Sequence, residues 1–113
     1  MYYNNNVKGE IEYEWFESKR QEVLSSRGID IVIAGPKVLA DPNVVIELDN
    51  RQDYGEERFL AYGMVEGERL CLCFTLRREK VHLITIFKMH KKQWGKHYGK
   101  AENHDGTSDT EKV

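Results

Sequence analysis

"ERLCLCFTLRREKVHLITIFK", Glu68 to Lys88, decides the fold. Two apolar runs, Arg69 to Leu76 and Val81 to Phe87, flank the polar stretch Arg77 to Lys80. They read as adjacent antiparallel strands joined by a four-residue hairpin connection. A symmetric turn places Leu76 opposite Val81 and Thr75 opposite His82. Alternation then sets Cys71, Cys73, Thr75, His82, Ile84 and Ile86 on one face. Leu72, Phe74, Leu76, Val81, Leu83, Thr85 and Phe87 form the other, more apolar face.

Upstream, Glu57 to Val65 reads as a third strand across the tight turn Glu66-Gly67, and Val44 to Asp49 as a fourth across the polar loop "NRQDYG". Three short connections in succession make an antiparallel meander. Ahead of it, Trp15, Phe16, Lys19, Val23 and Leu24 recur near helical spacing, and Gly28 stands where a left-handed C-terminal residue is needed. This predicts a helix from Phe16 to Arg27 packed on the more apolar face. "IDIVIAGPKVLADP", broken by Gly35, Pro36 and Pro42, predicts a short helical or irregular connector. Beyond the meander, Met89, Trp94 and Tyr98 predict a short C-terminal helix interrupted near Gly95. The expected class is α+β: an N-terminal helix, a four-stranded antiparallel meander and a short C-terminal helix. One domain, residues 10–98, would lie between a flexible lead-in (1–9) and a disordered tail (99–113).

The chain has 113 residues, 40% hydrophobic and 32% charged, which suits one small soluble domain. It holds no apolar run near the roughly 20 residues that cross a bilayer and no signal-peptide start, so a cytoplasmic protein without membrane attachment is expected. Cys71 and Cys73 are two apart on one strand, a spacing that suits neither a disulfide nor a zinc knuckle, and they read as buried reduced thiols. The net charge of −2 is unevenly spread. Residues 1–57 carry six Lys/Arg against twelve Asp/Glu, whereas Arg77 to Lys100 holds eight Lys/Arg against Glu79 alone. A basic segment of that density attracts polyanions and puts RNA or DNA among the partners.

His82 and His90 bring imidazole, the side chain best poised for proton transfer near neutral pH, to the two ends of that segment. Neither HExxH, a Cys pair nor a carboxylate cluster accompanies them, so neither metal nor other cofactor is expected. There is no GxSxG for a serine hydrolase. The residue types suit phosphodiester cleavage without metal, in which a ribose 2′-hydroxyl attacks its own phosphate while the protein supplies a base, an acid and cations. Arg58, Arg77, Lys88, Lys91 and Lys92 offer cations, His82 or His90 the proton-transfer group, and Thr85 a hydrogen bond to phosphate.

The order of motifs resembles the BrnT-type toxins. That family opens with F-x-W-D-x-x-K and K-H-G-[IV], and Trp15, Lys19, Leu24, Gly28 and Ile29 match; D-P, G-E-x-R-[FY]-x-x-x-G and T-x-R follow, matched by Asp41, Pro42, Gly55, Glu56, Arg58, Gly63, Gly67, Thr75 and Arg77. The resemblance spans about Glu12 to Tyr98. It implies a RelE-like ribonuclease fold, an RNA substrate, and the toxin role of a type II toxin-antitoxin pair. It further implies a BrnA-like ribbon-helix-helix antitoxin, with operator DNA engaged only through the complex; a homodimer is left open. The catalytic positions it implies are Arg77, His82, Thr85 and Lys88, with Arg58, His90, Lys91 and Lys92 for RNA. Where the family carries R-I-I-S-x-R, this chain has His82 for the first arginine, Thr85 for the serine and Phe87 for the second arginine. The helix Glu falls near Gln93, and Phe16, Val23 and Ser26-Arg27 replace polar residues of the first helix. Two readings therefore stand: a metal-independent endoribonuclease that inhibits translation and growth, or a catalytically silent relative that binds protein or nucleic acid. A nonspecific nucleic-acid-binding domain rests on lysines alone and lacks an aromatic stacking platform.

Overall fold

The structure, a computed structural model, describes residues 11–99 and the backbone of Tyr2–Asn5. The elements are β1 (Tyr2–Asn5), β2 (Tyr13–Phe16), α1 (Glu17–Arg27), α2 (Ile31–Leu39), β3 (Val45–Leu48), β4 (Phe59–Val65), β5 (Glu68–Arg77), β6 (Lys80–Lys88) and α3 (Lys91–Trp94). The expected meander is present as β3 to β6, but it belongs to a larger mixed sheet. Strand β2 pairs parallel to β6, giving five strands in the order β2-β6-β5-β4-β3, and β1 adds an antiparallel strand at the outer edge of β2. Of the expected lead-in, Tyr2–Asn5 is thus strand; residues 1 and 6–10, like the tail from residue 100 onward, lie outside the described residues.

Strand β2 corrects the sequence reading of Phe16 as the first helical residue and of Trp15 as part of the helix's apolar stripe. Tyr13 and Trp15 are both buried at alternate positions, and that period of two outweighs a helical spacing that begins only at Glu17. Helix α1 ends where expected: Gly28 has φ 71° and its N–H donates to the Leu24 carbonyl. The connector is a regular helix. Asp30 caps α2 by accepting from the Val32 N–H, and the same carboxylate takes two bonds from Arg20 of α1, at 3.0 and 2.8 Å. Arg20 first, and then the backbone N–H groups of the cap, hold Asp30 below its ordinary carboxylate range against the opposing effect of burial. Gly35 and Pro36, which suggested a break, serve the packing. A Cβ at Gly35 would lie 3.2 Å from Leu83 Cδ2, so glycine lets α2 press onto β6. Pro36 removes a single N–H three residues before the helix ends.

Hairpin register is as the symmetric turn predicts, with Leu76 opposite Val81 and Thr75 opposite His82. The loop itself is shorter, because Arg77 pairs with Lys80 and only Arg78 and Glu79 turn the chain. Both have positive φ, 51° and 68°, as do Glu66 and Gly67 in the preceding hairpin, so both turns carry the two left-handed residues of a type I′ turn. Farther along, the register shifts: Phe74 faces Leu83 but Cys73 faces Thr85, so Ile84 is an extra residue. The bulge exchanges the expected faces beyond it. Ile86 joins the helix-side core with Val23, Ile31, Val38, Leu72 and Leu83, whereas Phe87 packs with Cys71 and Cys73.

The thiol face is closed by the C-terminal segment. Trp94 packs on Leu60, Tyr62, Cys71 and Cys73, His97 stacks on Tyr62 at 4.4 Å and bonds Glu47, and the Tyr98 hydroxyl donates to Asp41. The predicted C-terminal helix is regular only over Lys91–Trp94. Both cysteines are free and buried, and burial pushes the Cys71 thiol up to about 12.

Two substitutions test this packing. A Cβ at Gly63 would lie 2.7 Å from the Val38 carbonyl oxygen, so Gly63→Ala should destabilise the protein by about 1–3 kcal/mol, read as a lower urea midpoint. Replacing Arg78 by Asn together with Glu79 by Gly should raise stability by about 1 kcal/mol in the same assay, because both positions are left-handed.

Candidate active site

Alternation along β4, β5 and β6 brings three of the sequence-predicted residues together on the thiol face, at the Arg77 end of the hairpin. Thr75 and Arg77 share that face of β5, His82 lies opposite Thr75 on β6, and Arg58 enters β4 beside them. The buried Thr75 hydroxyl donates to the Glu57 carbonyl at 2.6 Å and so fixes the segment that carries Glu56 and Arg58. One carboxylate, Glu56, then joins the two arginines. It accepts from Arg77 Nε and Nη2 at 3.3 and 3.1 Å and from Arg58 Nε at 3.3 Å. Arg77 first, then Arg58, holds the Glu56 carboxyl below its ordinary range against burial. From the other side the Arg58 guanidinium lies over the Tyr54 ring at 4.3 Å. Tyr54 donates in turn to Asp49, whose buried carboxylate is depressed to about 2, chiefly by Arg51.

His82 is 2% exposed, and its Nδ1 lies 3.2 Å from Glu14 Oε2 on β2; Glu14 is equally buried. Phe16 meets the imidazole edge to face with centroids 5.0 Å apart. Burial, and then the positive charge of Arg77, lower the His82 pKa below its usual value, while Glu14 works in the opposite direction. The ring is therefore neutral near neutral pH and able to accept a proton. Arg58, Arg77 and His82 line a groove of about 340 Å³ with Phe16 at the end of β2 and Lys19 and Glu22 of α1. That is room for a nucleotide-sized fragment, at the lower end of the roughly 300–1,000 Å³ typical of small-molecule sites.

The remaining expected site residues lie elsewhere. Lys88 pairs in register with Leu70, five positions along β5 from Thr75, which is roughly 17 Å of strand. It also lies in a depression on the helix face beside Asp30 and Ile33, and pairs with Glu68 at 3.4 Å. Thr85 does not line the groove. Its hydroxyl accepts from Arg27 Nη1 at 2.8 Å, and the same nitrogen donates to the Ile86 carbonyl while the guanidinium approaches the Phe87 ring. His90, Lys91 and Lys92 are exposed at the start of α3, past the Lys88 end of the hairpin. Among the described residues no three His, Cys, Asp or Glu side chains converge as metal ligands, and no helix is long and apolar enough to cross a membrane.

The family model of BrnT, the ribonuclease toxin of type II toxin-antitoxin systems, matches residues 15–93. The chain belongs to the BrnT family. Comparison with curated proteins and with solved structures returns no match. The matched span of the BrnT domain includes every residue of the groove, together with Thr85, Lys88 and the start of α3.

Sequence reasoning missed Glu14, Phe16, Lys19, Glu22 and Glu56 as members of this site. A signal existed for two of them. Glu14 is a lone carboxylate between aromatics in "YEWF", a pattern that puts it on the opposite strand face from Tyr13 and Trp15, and Glu56 sits two residues before Arg58 in the G-E-x-R motif. Because Glu56 competes with any incoming anion for both arginines, Glu56→Gln should tighten binding of a short single-stranded RNA several-fold. It should also steepen the salt dependence, measured by fluorescence anisotropy from 50 to 200 mM salt.

Proposed function

We propose that this BrnT-family chain is an active endoribonuclease whose side chains cleave RNA without a metal ion. The observation that carries this reading is the convergence of Arg58, Arg77 and His82 in one groove. In the proposed reaction neutral His82 accepts the proton of a ribose 2′-hydroxyl as that oxygen attacks the adjacent phosphorus. Arg58 and Arg77 release Glu56 and bond the phosphoryl oxygens, where negative charge grows in the pentacoordinate transition state. The bond from phosphorus to the 5′-oxygen breaks, the imidazolium returns its proton to the leaving oxygen, and a 2′,3′-cyclic phosphate results. Lys19 adds positive charge at the groove's α1 wall. Lys88, His90, Lys91 and Lys92 then serve RNA binding away from the reacting phosphate, and Thr85 holds Arg27.

We read the scaffold as a variant of the RelE-like layout, with β3 to β6 as its common part, acting in the cytoplasm to inhibit translation and growth. Its activity would be held in check by a BrnA-like ribbon-helix-helix antitoxin, through which alone the complex meets operator DNA. The second reading, a catalytically silent fold that binds protein or nucleic acid, is favoured by one observation: Glu56 occupies both arginines beside an imidazole only 2% exposed.

Expression of the chain without an antitoxin separates the two. The ribonuclease should arrest growth with loss of RNA integrity, and Arg77→Ala should lower the cleavage rate about 10²- to 10³-fold and relieve the arrest, whereas Lys88→Ala should change the rate less than tenfold. Purified protein should cleave equally with and without EDTA. Because the folded pKa of His82 lies below 6.5, its basic form prevails above that lowered value. The fall in rate on acidification should therefore be centred below pH 6.5, where an ordinary imidazole would centre it. Normal growth and intact RNA with soluble protein would instead establish the silent fold.

A further inference from the structure

The parallel pairing of β2 with β6 sets Glu14 directly opposite His82. Glu14 lies between Tyr13 and Trp15, which turn to the helix-side core, so its own side chain turns to the face that carries His82. The two side chains are each 3% exposed and meet at 3.2 Å. A carboxylate withdrawn from water this far is costly unless it accepts a hydrogen bond, and the imidazole Nδ1–H supplies one. The other charged groups around His82 include Arg77 from β5 and Glu56 from the loop before β4, with Arg58 before β4 and Lys19 and Glu22 of α1 lining the same groove. Glu56 already bonds both arginines, so Glu14 is the carboxylate engaged with the imidazole.

We infer that Glu14 is the positioning residue of the site: by accepting the Nδ1–H of His82 it fixes the tautomer whose basic nitrogen is Nε2, orients the ring in the groove, and stabilises the imidazolium formed when the 2′-hydroxyl gives up its proton. The inference rests on the reading of His82 as the proton-transfer group. A carboxylate can only accept this hydrogen bond, and so specifies one tautomer. An amide in its place can donate to Nδ1 and select the other tautomer, which moves the proton onto Nε2 and removes the base. Loss of the correct tautomer in a histidine-carboxylate pair costs up to about 10⁴-fold in rate.

The test uses the full chain. Ring-nitrogen NMR of His82 without RNA reads tautomer and titration, and cleavage of a short single-stranded RNA across pH gives kcat and KM. In the unaltered protein the neutral ring should carry its proton on Nδ1. Glu14→Gln should move that proton to Nε2, lower the pH at which the ring titrates, and reduce kcat about 10²- to 10⁴-fold with KM changed less than threefold. Glu14→Asp, which keeps the carboxylate, should retain the Nδ1–H tautomer and lose less than tenfold in kcat; it carries the test if Glu14→Gln does not fold. The inference is overturned if the neutral ring of the unaltered protein carries its proton on Nε2, if Glu14→Gln keeps wild-type kcat, or if Glu14→Asp folds and loses the Nδ1–H tautomer. The underlying reading fails separately: His82→Ala with undiminished cleavage, or no cleavage by the unaltered chain, would remove His82 from the reaction whatever its tautomer.

Discussion

The contact on which this molecule most depends is the parallel pairing of β2 with β6. Three residue pairs, Tyr13 with Val81, Glu14 with His82 and Trp15 with Leu83, join the chain's beginning to its last strand. The pairing turns the meander into a mixed sheet and places Tyr13 and Trp15 in the helix-side core. It also sets the point at which α1 leaves the sheet, one residue beyond Trp15, so that Lys19 and Glu22 reach the groove. Parallel strands need a long crossover, and α1, α2 and the first three strands of the meander provide it. Core and site therefore share one origin: the register that buries the aromatics also brings a carboxylate to an imidazole.

Much of this was legible in the sequence, for physical reasons that also mark where legibility stopped. The β5-β6 register could be read because a symmetric turn and a period of two leave one pairing that buries Leu72, Phe74 and Leu83 together. The bulge could not. Ile84 is apolar, as are Leu83 and Ile86, so the composition of "VHLITIF" is consistent with either face beyond that point, and only three-dimensional packing selects Ile86 for the core. Trp15 was ambiguous in the same way, fitting the end of a strand and the start of a helical stripe equally well. Gly35 and Pro36 misled because both residues break isolated helices, whereas here the missing Cβ allows a close approach to Leu83 that stabilises α2 through packing.

For the site, the arginines were found through motif position and the histidine through its chemistry, and the fold unites them. Lys88 was counted as a cation of the site from its residue type, but it pairs with Leu70, far along the strand from Thr75, and residue type alone carries no such distance. Arg27 shows the converse. It lies 58 residues from Thr85 yet bonds its hydroxyl, and no pattern in the first helix announces that contact.

The closing of the thiol face by Trp94 has a consequence for synthesis on the ribosome. The segment that seals Cys71 and Cys73 follows the last strand, and that last strand is the one β2 must wait for. A nascent chain can form the β3-β4-β5 antiparallel ladder early, but β2 has no parallel partner, and His82 no place, until β6 has emerged. The residues read as chemical therefore come together among the last events of folding. Until β6 is made, Glu14 lacks the imidazole it faces in the finished sheet, and the face that Trp94 later covers stays open.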